Sequence, residues 1–378
     1  MERIAVCKLS VEVHESLLDE LLWASETLGI HELFIQNARS VQLHASGHLK
    51  RLLGRPEGLR ESSQAILFCY ILPEYRDSVM QFLIRACGLD MPGRGSLMAS
   101  SVELLAPETL AASIRGMKAP RAVLNPVPLL GSLMVLNCIV QRGNGNPLAR
   151  AALMLGTSVP SITFGEGTGL RDKLGLLRIT IPAAKEIVSL AVSDHDALGI
   201  MQIIVEEAKL NQAGKGFISC TTVDRALLNT KLRIGHQSHA ASMEQIITAI
   251  DHLSGNAWWR RRFDQESSSG RLPVARDRVG INCIDDEGSA ARYSVAAMNA
   301  GAGGATGTSV KYQPRGPEDR QPALGGDNAK DETNFVLDAA LVEPVTQALL
   351  AAGLDRPGSG GFMEIQARPL AFTYQQKR

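Results

Sequence analysis

Two hydrophobic patterns alternate along the chain. Short apolar runs at residues 65–72, 133–140 and 186–192 are typical of buried strands, and residues 14–28 place leucines at helical spacing. Between residues 131 and 226 these patterns predict strand, helix, strand, glycine loop, strand, helix, strand. That βαββαβ order is the order of a ferredoxin-like unit.

The same pattern occurs three times. The turn LNQAGKG at residues 210–216 has counterparts in LDMPGRG at 89–95 and LDRPGSG at 354–360. Each turn follows a predicted helix and precedes a predicted strand. The triplet Asn-Cys-Ile also occurs twice, at 137–139 and 282–284. Several repeats in register indicate a tandem triplication.

We therefore predict an α+β fold of three tandem ferredoxin-like (βαββαβ) units. The units span residues 1–107, 131–226 and 276–372, and residues 227–275 form an added helix and a linker. The stretch 37–64 is too irregular in pattern for a regular element. The Pro- and Gly-rich stretch 313–333 predicts a mobile loop, and GEGTG at 165–169 predicts a glycine loop.

Charge and composition exclude some classes of partner. The 378 residues carry 39 Lys plus Arg and 39 Asp plus Glu, so no overall field attracts nucleic acid or a membrane surface. No apolar run approaches the roughly 18 residues of a membrane span, and the first residues lack the apolar core of a signal peptide. The six cysteines have no CxxC spacing and predict buried free thiols. We expect a cytoplasmic protein.

Residues 131–224 resemble a subunit of the PII signalling superfamily, the trimeric nitrogen-regulatory proteins and their PII-like relatives. GEGTGLRDKLG followed by KEIVSLAV is similar to the base of the family's T-loop and the next strand. AGKGFIS is similar to its B-loop. Because members are homotrimers of ferredoxin-like units with ligand sites between subunits, the resemblance implies a single-chain pseudo-trimer.

The resemblance implies a non-enzymatic regulatory or sensor protein. It would bind a small anionic effector, with an adenine nucleotide as one candidate, in a cleft between units. Its T-loop-like segments would signal to a protein partner, an enzyme or a membrane transporter. Closely spaced glycines suit this role because successive N–H groups can point at one anion. The candidate binding residues are Gly165, Gly167, Thr168, Gly169, Arg171, Gly214, Lys215 and Gly216.

Some features favour other interpretations. The lysine that usually follows the second B-loop glycine is replaced by Ser96, Phe217 and Gly361 in the three copies. The glycines are also compatible with plain turns whose charges face solvent. We predict no catalytic residue and no metal ligand. The alternative function is a small catalytic or metal-handling protein on the same scaffold.

Overall fold

The computed structural model describes residues 1–44, 58–120, 123–155, 157–169, 184–229, 273–317, 321–324, 328–356 and 360–374. The added helix and most of the linker predicted for 227–275 lie outside these residues, as does Arg171. Nothing in the structure tests the predicted domain boundaries.

The described strands fall into three groups along the chain. The first strand group contains β1 (Glu2–His14), β2 (Glu32–His44), β3 (Gly58–Ile71) and β4 (Gly95–Ala106). The second contains β5 (Leu133–Gln141), β6 (Ser161–Gly169), β7 (Ala184–Ser193) and β8 (Gly216–Val223), followed by the short β9 (Arg225–Leu227). The third contains β10 (Ala275–Asp286), β11 (Gly304–Pro314), β12 (Ala329–Asp338) and β13 (Phe362–Thr373).

Seven α-helices in the described part of the chain connect these strands. They are α1 (Leu18–Thr27), α2 (Arg76–Ala86), α3 (Glu108–Arg115), α4 (Gly145–Met154), α5 (Ala197–Glu207), α6 (Ala290–Asn299) and α7 (Val342–Leu349). Acidic side chains from neighbouring strands satisfy the first amides of two of them. Glu186 accepts from Gly143 and Gly145 at the start of α4, and Asp331 accepts from Gly288 and Ala290 at the start of α6.

All thirteen strands in the described part of the chain belong to one antiparallel sheet. Within each group the first strand pairs with the third and fourth strands, and the second strand pairs with the third. Between groups, β13 pairs with both β8 and β4, β11 pairs with both β2 and β6, and β2 pairs with β6. These pairings between groups close the sheet on itself.

The predicted fold of three tandem ferredoxin-like units forming a pseudo-trimer is therefore wrong. Separate four-stranded α+β units would each leave edge strands with unpaired N–H and C=O groups. Here the strands at the edges of each group are hydrogen bonded to strands of the other groups, and the result is a mostly β chain with one closed sheet. The sequence shows where each strand lies but not which strands of distant segments pair.

Alternation along each strand separates two environments. In β1, Leu9, Val11 and Val13 are fully buried in a core with residues of α1 and α2. Lys8, Ser10 and Glu12 alternate with them in sequence and line a cavity inside the sheet. Successive strand residues point to opposite faces, so one face packs on helices and the other faces the interior.

Three predicted irregular segments contain regular strands. Within 37–64 lie the end of β2 and the start of β3, which pair from Phe34↔Phe68 to His44↔Gly58. GEGTG forms the end of β6, and β12 begins at Ala329 inside the predicted mobile loop. These strands are polar because they continue past the apolar core, so hydrophobicity alone did not reveal them.

Two other expectations concern cysteines and membranes. The six cysteines are free and buried, as predicted. Burial raises the pKa of the Cys7 and Cys69 thiols to about 12, so both stay protonated at neutral pH. No helix in the described ranges is long and apolar enough to cross a membrane.

Gly216, at the start of β8, is a glycine because the paired strand leaves no room for a side chain. A Cβ at this position would lie 2.2 Å from the carbonyl oxygen of Ile139 on the paired strand. We expect Gly216→Ala to lower the free energy of unfolding by about 2 kcal/mol or more, measured by urea denaturation. Gly199→Ala in α5 is the matched control, because a Cβ there meets nothing within 4 Å. Equal effects of the two substitutions would contradict this explanation.

Candidate functional site

The sequence-predicted site residues do not come together. Gly165 lies on β6 and Gly216 begins β8, and both β7 and β5 lie between these two strands. At about 4.8 Å per strand, the two positions are separated by roughly 14 Å along the sheet. They share one end of the second strand group but not one cleft.

The glycines of GEGTG serve strand packing. A Cβ at Gly165 would lie 2.6 Å from the carbonyl oxygen of Gly307 on β11, and one at Gly167 would lie 2.6 Å from Cε of Lys185. Gly169 pairs with Gly304, and the Thr168 hydroxyl reaches that of Ser294 at 3.5 Å. The expected anion-binding loop is therefore a strand whose backbone is already paired.

The second predicted motif, Gly214, Lys215 and Gly216, is a turn before β8. Gly214 has a φ of +73°, and its carbonyl accepts a hydrogen bond from the Gln141 side chain at 3.1 Å. Lys215 is half-buried. The structure does not test whether this turn binds a ligand, and none of its three residues lines the cavity described below.

A cavity lies inside the closed sheet. This interior cavity has a volume of about 220 Å³ and is lined by inward-facing side chains from all three strand groups. Four of the lining side chains form a charged quartet: Lys8, Glu332, Glu364 and Arg368. Sequence analysis selected none of them.

One pair in the quartet is fully satisfied. The Lys8 ammonium lies 2.7 Å from the Glu364 carboxylate, which also accepts a hydrogen bond from the Tyr70 hydroxyl at 2.9 Å. The ammonium lies 4.6 Å from the centroid of the Phe68 ring, a cation–π contact. Burial raises the pKa of Tyr70, and the adjacent Glu364 charge raises it further, so Tyr70 stays a donor.

Arg368 has no such partner. Its side chain is 6% exposed, and no carboxylate oxygen of a described residue lies within 4 Å of it. It donates to the Thr221 hydroxyl and, at 3.2 Å, to the Gln366 side-chain oxygen, whereas its Nε has no partner among the described residues. Burial lowers the pKa of this guanidinium, although arginine stays charged in proteins. The cavity wall thus holds a buried cation without an ion pair.

Glu364 and Glu332 act on Arg368 electrostatically without forming an ion pair with it, and their charges oppose the effect of burial on its pKa. Burial raises the pKa of the Glu332 carboxyl group, while the nearby Lys8 cation opposes that shift. The Thr308 hydroxyl donates to Glu332 at 3.0 Å. Farther along the wall, burial raises the pKa of Glu12 to about 7. The raised pKa values mean that Glu332 and Glu12 take up a proton at a higher pH than exposed carboxyl groups do.

The sheet register shows that two charges of the quartet, Glu332 and Arg368, occupy positions that are apolar in the other strand groups. Glu332 pairs with Ile284, and the corresponding pairs in the other groups are Glu12 with Ile66 and Ile139 with Ile187. Arg368 likewise occupies the position that is Val102 in the first group and Val223 in the second. Apolar residues therefore suit these positions, and the third group has charged ones instead.

Gly280 makes room for the guanidinium. This residue lies on β10 beside β13, and a Cβ there would be 2.4 Å from Nε of Arg368. Any side chain at this position would displace the guanidinium. The third strand group thus combines a buried arginine with a glycine that accommodates it.

A scan against protein-family models and a search of curated proteins found no match for this chain. The structure does not indicate membership of the PII superfamily. The description as ferredoxin-like repeats was a wrong prediction, because the strand groups share one closed sheet, and the PII-like and pseudo-trimer descriptions have no support in the structure.

The two cations should respond differently to removal. Lys8→Met leaves Glu364 buried without its ion-pair partner, so we expect the free energy of unfolding to fall by about 3 kcal/mol or more. Arg368→Met replaces a cation that has no ion pair with an apolar group, so we expect a change within about 1 kcal/mol or a gain. Chemical denaturation of both variants measures the difference. Equal destabilisation would show that a carboxylate already compensates Arg368.

Proposed function

We propose that this protein is a non-enzymatic sensor that binds a small anionic effector in the interior cavity between its three strand groups. The observation that carries the proposal is Arg368, a buried guanidinium that lines the cavity without an ion pair among the described residues. A buried charge is costly unless it is paired, and a bound anion would supply the missing charge.

The cavity wall also provides an amide hydrogen-bond donor for an anion. Gln366 is 6% exposed, and its side-chain nitrogen also lacks a partner in the described part of the chain. Gln366 and Arg368 lie two residues apart on β13 and line the same cavity. An oxyanion beside them would accept hydrogen bonds from an amide and a guanidinium, and hydrogen bonds to charged groups are the strong ones.

Cavity size favours a small effector. The volume of about 220 Å³ corresponds to roughly seven water molecules and lies below the usual range for drug-sized ligands. A carboxylate or small oxyanion suits it better than an adenine nucleotide.

Binding of the effector would affect the stability of the whole sheet. Lining residues come from all three strand groups, so an effector that neutralises Arg368 would stabilise the closed sheet. A protein partner that senses this state stays a prediction.

A thermal-shift screen tests the proposal. The panel contains formate, acetate, butyrate, succinate, 2-oxoglutarate, phosphate, sulfate, ADP and ATP at constant ionic strength. We expect at least one small anion to raise the Tm, since a ligand at 100 times its Kd adds about 2.7 kcal/mol. Arg368→Met should abolish the shift.

Arg3→Met is the matched control, because Arg3 is an exposed arginine of β1 that pairs with Glu103 and Glu343 on the surface. It should keep the full shift. A shift that survives Arg368→Met but disappears in Lys215→Ala would place the anion at the turn before β8 instead. No shift with any small anion would contradict the proposed function.

A further inference from the structure

The interior cavity has one charged and polar wall and two partly apolar walls. Every lining side chain from the third strand group is polar or charged. All seven apolar lining side chains belong to the first and second groups. The aliphatic ones are Ile66, Met98, Val135, Ile139, Ile187 and Val223, and the seventh is Phe68.

Resting on the proposed function, we propose that the effector is a short-chain aliphatic monocarboxylate. Its carboxylate would meet Arg368 and Gln366, and its hydrocarbon chain would lie against the apolar side chains of the second and first strand groups.

The apolar surface begins next to the guanidinium. Arg368 donates to the hydroxyl of Thr221 on β8. The strand partner of Thr221 is Val135, and Val223 follows two residues later on the same face of β8. A carboxylate held at Arg368 would therefore have Val135 and Val223 beside the carbon atoms attached to it.

A second negative charge would be unfavourable in this cavity. Glu364 lies two residues before Gln366 on the same face of β13, and Glu332 lines the same wall. Lys8 already forms an ion pair with Glu364, so a second anionic group would find that cation occupied and would face the negative charge of Glu364. Succinate, phosphate and sulfate should therefore bind less tightly than a monocarboxylate of matched size.

The test is a homologous series from acetate to octanoate, with succinate, phosphate and sulfate as further arms, titrated calorimetrically at constant ionic strength. Burial of one methylene contributes about 0.8 kcal/mol, so affinity should rise about fourfold for each added methylene. The rise should stop, and affinity should fall, once the chain exceeds the cavity.

Val135→Thr keeps the side-chain shape and adds a hydroxyl to the apolar wall. This variant should flatten the rise in affinity along the series and should weaken acetate, which places only one methyl group against this wall, less than the longer acids. Val295→Thr is the control, since Val295 is exposed on α6, and it should show the wild-type series.

The titrations distinguish a wrong ligand class from a wrong proposed function. If succinate or phosphate binds as tightly as the best monocarboxylate, or if affinity is flat along the series, this inference is overturned and the proposed anion site stands. If no anion in any arm binds, the proposed function fails as well.

Discussion

Hydrogen bonds between strands of different groups are the constraint on which the rest of the structure depends. They link β13 to β4 and β8, and β11 to β2 and β6. Because these ladders close the sheet, one face of its strands becomes interior rather than solvent-exposed. A charged residue on that face is then buried because distant strands pair around it, although nothing in its own segment of sequence indicates burial.

Closure explains why the charges of the third strand group matter. At corresponding register positions the other groups have Ile66, Ile187, Val102 and Val223, which suit an interior. Glu332 and Arg368 stand at these positions in the third group. A chain that needed only stability would keep apolar residues there. Charged residues in place of apolar ones, together with Gly280 beside the guanidinium, therefore indicate a ligand.

The sequence allowed the core strands and buried cysteines to be predicted, because apolar runs and small-residue turns are local signals. It did not reveal the site. Glu364, Gln366 and Arg368 alternate along β13, and such alternation ordinarily indicates the solvent-facing side of a strand. Only pairing between segments far apart in sequence turns that side inward. The prediction that GEGTG forms a loop was wrong for a different reason. Its glycines suit an anion-binding loop and a closely packed strand equally well.

The most direct test is anomalous diffraction from crystals of the protein soaked in sodium bromide. We expect a bromide peak inside the cavity, within hydrogen-bonding reach of the Arg368 guanidinium and the Gln366 amide, and no such peak in Arg368→Met crystals. Bromide found only on the outer surface or at the turn of Lys215, with none beside Arg368, would contradict this expectation.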